Sequence, residues 1–374
     1  MIFTTENALQ KIRASLGTPE GSTLAAWLRT EAEKAAEAPT PCITDHPSPA
    51  ASGDPHDYFS EGPYWWPDPQ DPHAPYIRRD GYINPERFVH HHKALDAIHA
   101  HSLTLALAAY HLGEPRFADA LREKLRRFYL DPATKMNPHL DYAQAIRGHC
   151  DGRGIGIIDS TGITRVVFAV ELLELMDPGD SVAAGMREWL GAFYRWMRTS
   201  KNGIDEKYHG NNHSTYYTLM TASLARLLGD EEGFAEDCAY FSAMLEKQMQ
   251  PTGGFPREIA RTNSFGYSCM NLNGFALLCE IAHFAGVDLW NRDCGGVSMS
   301  TAIRFHAPYV AHPGTWPYES IHKDSDAPLA MLGASLRLQD EADRTAAAEA
   351  LNARAGNPFR GIGPFGPAAF WFAF

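Results

Sequence analysis

Apolar positions along this chain recur at spacings of three and four far more often than they alternate, so the pattern predicts helices with few strands. Residues 163–176, ITRVVFAVELLELM, set Val166, Val167, Val170 and Leu173 on one face and end at the breaker DPGDS. A partner helix starts near Ser181, with Asp180 as its cap, and runs to about Arg198. Residues 214–229 repeat the pattern through Tyr217, Met220, Leu224 and Leu227 and stop at Gly229; after DEEG another helix runs to about Gln250. Comparable pairs fall at 93–112 with 115–130, at 271–286 with 297–307, and at 326–338 with 340–354. Segments 5–15 and 22–37 make one more.

Helix, short turn, helix and then a longer irregular segment is the grammar of antiparallel hairpins, which need neighbours to bury their apolar faces. No strict sequence period accompanies it, which argues against a linear array of identical repeats. The expectation is one all-α domain over residues 1–374, an (α/α) toroid or incomplete barrel of about five to seven hairpins. The irregular segments 38–90, 131–162, 199–212, 250–268 and 308–325 are then loops on a rigid scaffold, where chemistry concentrates.

Composition narrows the function. With 374 residues, 44% hydrophobic and 21% charged, the chain is long enough for a substantial core. No run of eighteen apolar residues occurs, so no membrane span is expected. The start, MIFTTENALQKIRASLG, lacks the pattern of a secretory leader, which reads as cytoplasmic or as a leader already removed. Net charge is −12 without a basic tail, which disfavours nucleic acid as a partner. The six cysteines (Cys42, Cys150, Cys238, Cys269, Cys279, Cys294) form no Cys-x-x-Cys pair and read as buried thiols.

Candidate chemistry sits in the loops. EGPYWWPDP holds Tyr64, Trp65 and Trp66 between prolines, and YIRRDG follows with Arg78 and Arg79. The plainer reading has Trp65 or Trp66 anchoring the loop; where the ligand is a charged sugar chain, the segment becomes a stiff flap whose rings stack on sugars while the guanidinium groups meet carboxylates by bidentate hydrogen bonds. YHGNNHSTYY offers Asn211, Asn212 and His213 where a helix begins, with a positive partial charge that favours anions. The plainer reading has Asn212 as a helix cap and His213 as a surface residue. PREIARTNSFGYS contributes Arg257, Arg261 and Tyr267, and YAQAIRGHCDGRGIGIIDS contributes Gln144, Arg147 and Arg153, as ligand contacts or as turn-stabilising residues. Adjacent histidines in HHHK (His90–Lys93) do not chelate together, His99 and His101 do not repair this, and no cofactor is expected. No Gly-x-Ser-x-Gly elbow occurs.

Arg, Asn, His and Tyr without a metal set or nucleophile suit β-elimination on a uronic acid. Donors on the carboxylate stabilise the charge that develops when the C5 proton leaves. A tyrosine, ordinarily near pKa ~10, can act as base beside a guanidinium, and His213 can serve when proton and leaving group lie on opposite faces of the ring.

The stretches DYFSEGPYWWPDP…PYIRRDGYINPE (Asp57 to Glu86), NNHSTYY (Asn211 to Tyr217) and REIARTNSFGY (Arg257 to Tyr267) together resemble the alginate lyase-like polysaccharide lyases, over about residues 57–285. The resemblance implies an α/α toroid, metal-independent β-elimination and an acidic polysaccharide as substrate, alginate first and glucuronan second. It implies that Asn212, His213 and Arg261 neutralise the substrate carboxylate and that Tyr267 is the catalytic tyrosine. Where a common version of the third motif reads Arg-Thr-Arg-Ser-Leu-His-Tyr, this chain has Asn263 and Gly266 in place of a basic residue and a histidine. Two alternatives stand beside this reading. One is a glycoside hydrolase on a helical ring, with two carboxylates drawn from Asp57, Glu61, Asp159 and Glu258. The other is a non-catalytic binding protein for acidic polysaccharide.

Overall fold

Helical hairpins carry most of the chain, as the apolar spacing predicts. The computed structural model describes residues 1–19, 21–71 and 73–354, so residues 355–374 of the expected 1–374 domain lie outside it. Two compact units divide the described residues, one from Met1 to Asp205 and one from Glu206 to Arg354.

The first unit opens with α1 (Glu6–Ser15) and α2 (Ser22–Glu37). A long irregular stretch follows, with one 3-10 turn over Ile43–Asp45, and holds β1 (Phe59–Glu61), β2 (Trp65–Trp66) and β3 (Ile77–Arg78). Next come α3 (His90–Leu112), α4 (Pro115–Leu125), β4 (Tyr142–Ala145), α5 (Ile163–Met176) and α6 (Ser181–Thr199). Helix α3 is the hub and packs on α1, α2, α4 and α5. Its Leu95, Ile98 and Leu105 are buried, as are Val166, Val167 and Val170 of α5. A helix apolar on so many sides belongs in a core. The helix expected over 115–130 ends its α-form at Leu125 and finishes as a π-turn over Arg126–Leu130. The Asp180 cap holds: its carboxylate accepts from the Val182 and Ala183 amides and pairs with Arg122 Nε at 2.6 Å. Strand β1 pairs parallel with β4, and β2 antiparallel with β3, with Trp65 opposite Arg78 and Trp66 opposite Ile77.

Helix α7 (Lys201–Lys207) crosses the boundary, within a segment expected to be loop. Its KNGIDEK sequence has no apolar period to betray it. The second unit then builds α8 (Asn212–Leu228), α9 (Glu231–Gln248), the single turn α10 (Pro256–Ile259) and α11 (Ser264–Phe284). It continues with α12 (Met299–Ala311), α13 (Pro328–Arg337) and α14 (Glu341–Ala353). Helix α8 packs on α9 and α11, α11 on α13, and α14 on α12 and α13. Helix α11 starts seven residues before the expected 271, because its first two turns bury polar Ser264, Ser268 and Asn271 and so hide the binary pattern.

Five cysteines are buried free thiols and Cys150 is half-buried. Among the described residues no helix is long and apolar enough to cross a membrane.

Candidate active site

The second unit brings the NNH motif and the Arg/Tyr motif to one carboxylate. Asn211, not Asn212, caps α8: its side chain accepts from the His213 amide at 3.3 Å. Asn212 is fully buried, and its side-chain nitrogen donates to both oxygens of Glu258, at 2.9 and 2.8 Å. The Asn212 backbone amide adds a third bond to Glu258 at 2.7 Å. The Asn212 Oδ1 has no hydrogen-bond partner among the described residues. Glu258, on α10, is 1% exposed. Burial raises its carboxyl above the ordinary value, opposed by the Asn212 donors and by the positive charges of Arg261 and His213.

Glu258 thus occupies the Asn212 donors that the family resemblance assigned to a substrate carboxylate. Asn212 is a partner of Glu258 rather than a simple helix cap. His213 is no surface residue either. Its Nδ1 lies 2.9 Å from Oε1 of the fully buried Glu206, and its ring meets that of His209 edge-on at 5.1 Å.

Tyr267 lies in the first turn of α11, half-buried, with its amide bonded to the Asn263 carbonyl. The Arg261 guanidinium carbon sits 3.8 Å from the centre of the Tyr267 ring. That stacking sets a positive charge against the phenol face. Arg257 is exposed, and its guanidinium donates to the His209 carbonyl, bracing the loop that leads into α8. Gly210 in that loop takes φ +85°, and a side chain there would approach Arg257 Nη1 at 3.0 Å. Sequence reasoning grouped Asn212, His213, Arg261 and Tyr267 as one candidate catalytic set, and all four fall in the second unit. It missed Glu206, which lies in the unexpected helix α7, and it weighed Glu258 only as one of four carboxylates for the hydrolase alternative.

The first unit places the other candidates. Gln144 is buried in a left-handed conformation, φ +49°. Its Nε2 donates to Asp159, its Oε1 and carbonyl accept from Arg153, and its amide donates to Ser60 Oγ. Gln144 therefore stabilises its turn, and Arg153 is held beside it. Asp159 also accepts from Tyr58 and Ser60, Asp57 accepts from Ser52 and Asn137, and Glu61 accepts from the Phe88 amide. All four carboxylates weighed for hydrolysis are thus engaged in internal hydrogen bonds. Trp65 packs against His149 at 5.0 Å, and Tyr64 is half-buried next to it. Trp66 donates to the Tyr82 carbonyl and lies under Arg79, while Arg78 pairs with Asp80 at 2.8 Å. A pocket of about 500 Å³ in this unit is lined by Phe59, Glu61, Ile146, Arg147 and His149, among others.

The family model described as alginate lyase matches residues 43–316. A crystal structure of an alginate lyase from Bacteroides ovatus superposes with a TM-score of 0.88 at 33% identity, covering 93% of this chain and 95% of that one. Alginate lyase A1-III from Sphingomonas species A1 shares the fold at a TM-score of 0.52 and 17% identity, covering 85% of this chain and 88% of that one. A complex of A1-III with a tetrasaccharide gives a TM-score of 0.52 at 18% identity, over 78% of this chain and 77% of that one. No curated protein gives a match. The all-α, toroid-class reading holds, and the enzyme is a polysaccharide lyase. With its hairpins, its NNH and Arg/Tyr motifs gathered in one unit, and the family match over residues 43–316, the chain belongs to the alginate lyase family.

Proposed function

We propose that this lyase cleaves a uronic-acid polysaccharide by β-elimination, with alginate first among its substrates and glucuronan second, leaving 4,5-unsaturated uronate ends. The observation that carries the reading is the Arg261 guanidinium stacked on Tyr267, with His213 close enough to bear on the same Glu258. Arg261 supplies positive charge to the uronate carboxylate, and His213 adds to it in the route where Tyr267 is the base and the imidazole is protonated, so the charge that develops as C5 loses its proton falls beside fixed positive charge. In this reading no metal ion takes part. Tyr267, with Arg261 against its ring, takes the C5 proton or protonates the departing glycosidic oxygen. His213 supplies the opposite face when proton and leaving group lie on different sides of the sugar. Asn212 acts through Glu258, whose carboxylate it holds with three hydrogen bonds. The similarity to the alginate lyase from Bacteroides ovatus favours alginate.

On the first unit, Tyr64, Trp65, Trp66, Arg78, Arg79 and Arg153 are assigned to saccharide binding. The experiment follows the ultraviolet absorbance of the new C4=C5 double bond on polymannuronate, polyguluronate, glucuronan and hyaluronan. Tyr267→Phe is expected to lower kcat by about 10²-fold or more. Trp65→Ala is expected to raise KM several-fold with kcat preserved, as for loss of a binding contact that does not change in the transition state. A wild type that makes no unsaturated product on any of these polymers refutes the reading.

A further inference from the structure

Glu206 is a carboxylate that no sequence motif singled out, yet it has no exposed surface and faces a residue of the proposed chemistry. Its position is fixed at both ends. Its carbonyl accepts from the His209 amide at 3.2 Å and from Ser214 Oγ at 3.3 Å. Ser214 Oγ in turn accepts from the Gly210 amide at 2.6 Å, which closes the loop between α7 and α8 on itself. Its side chain meets Nδ1 of His213 at 2.9 Å. An ionised carboxylate only accepts hydrogen bonds, so the ring nitrogen facing it carries a proton. Neutral His213 is then the tautomer with its lone pair on Nε2, since the bond made by one ring nitrogen fixes the state of the other. The charged and titratable groups that bear on this ring, or on Glu258 beside it, come from several elements: Glu206 on α7, His209 in the loop, Glu258 on α10 and Arg261 after it.

We propose that Glu206 is a positioning residue of the lyase reaction, holding the Nδ1 proton of His213 so that Nε2 is the atom presented to the sugar. The inference rests on the elimination reading above. As base, Nε2 takes the C5 proton; the C5–H electron pair forms the C4=C5 bond, the C4–O bond breaks, and the departing oxygen takes a proton from the group opposite. As acid, the imidazolium returns its Nε2 proton to that oxygen. Either role requires that Nδ1 not compete, and Glu206 secures this.

Two measurements test it. In the wild type, ¹⁵N spectra of histidine-labelled protein in mildly alkaline buffer, with His213 assigned by its absence in His213→Gln, should show the Nδ1–H tautomer. An Nε2–H tautomer overturns the proposal whether or not any polymer is cleaved. Glu206→Gln can turn its amide hydrogen toward Nδ1 and force the proton onto Nε2. Its kcat on the best wild-type polymer should fall on the order of 10²-fold, with KM within about twofold. Glu206→Asp should recover part of that loss. A folded Glu206→Gln enzyme with wild-type kcat overturns the proposal, and if that variant does not fold the tautomer spectrum decides. Absence of unsaturated product from the wild type refutes the elimination reading itself, a result separate from either measurement.

Discussion

Glu258 shows at the scale of one residue how a buried charge is tolerated. Three hydrogen bonds from Asn212 meet its carboxylate, and the charges of Arg261 and His213 act on it, yet burial still raises its proton affinity. Removing the carboxylate strands two buried donors of Asn212, and each unsatisfied buried donor costs about 1–3 kcal/mol. Glu258→Ala is therefore expected to lower stability by about 2–4 kcal/mol in urea unfolding. Glu258→Gln keeps an acceptor for the Asn212 amide, and its new amide can donate to the vacant Asn212 Oδ1 after that side chain turns. Its loss should be less than half as large, and equal losses would show that charge rather than hydrogen-bond matching holds the pair. The residue types of the candidate site stand out in the sequence, because Asn212, His213, Arg261 and Tyr267 stand in two short motifs. Their partners were not. Glu206 and Glu258 are ordinary glutamates until folding buries them, and burial by distant segments leaves no local signature.

Elements placed the chemistry, and most of them could be read from the chain. Helices with dense apolar spacing, such as α5, or with a side-chain cap and an apolar stripe, such as α6, fall where the spacing puts them. The misses are helices that lack that contrast: polar α7, and the start of α11 with its buried serines. Those two lie beside the site, and the first supplies Glu206 while the second supplies Tyr267. Packing an active site needs polar residues at positions where a structural helix would place apolar ones, so pattern reading weakens there. Asp180 illustrates the opposite case, a terminus fully announced by sequence. Its carboxylate caps α6 through two amides and ties α6 to Arg122 of α4. Asp180→Ala should cost about 2 kcal/mol, the upper range for a lost cap, and leave kcat on a uronate polymer unchanged. A shift of the urea midpoint equivalent to less than ~0.5 kcal/mol would show that the cap is idle.

At the scale of the whole molecule, both units share a sensitivity to acid that their histidines set. His111 on α3 and His306 on α12 are buried, and burial lowers each from the ordinary 6.5 to about 4. His99, also on α3, is driven the same way. The sign follows from proton counting. Above pH 6.5 these rings are neutral in both folded and unfolded chains and contribute nothing to the pH dependence. As pH falls from 6.5 toward 4 the unfolded chain binds protons that the folded chain refuses, so stability declines, and the decline is complete once pH passes below about 4. At pH ~5 His111 and His306 each account for roughly 2 kcal/mol. Asp96 and Glu258 work in the opposite direction: their raised carboxyls take up protons more readily folded than unfolded, which supports the fold as pH drops into the carboxylate range. His306 allows a clean test, because its Nδ1 makes a single bond to the Ala302 carbonyl and its ring packs between Phe255 and Trp316. Phenylalanine fits that aromatic stack and cannot titrate. Urea midpoints of wild type and His306→Phe at pH ~7 and ~5 should show a pH-dependent loss smaller by roughly 2 kcal/mol in the variant. Identical losses would mean that the acid sensitivity of the second unit arises elsewhere than at His306.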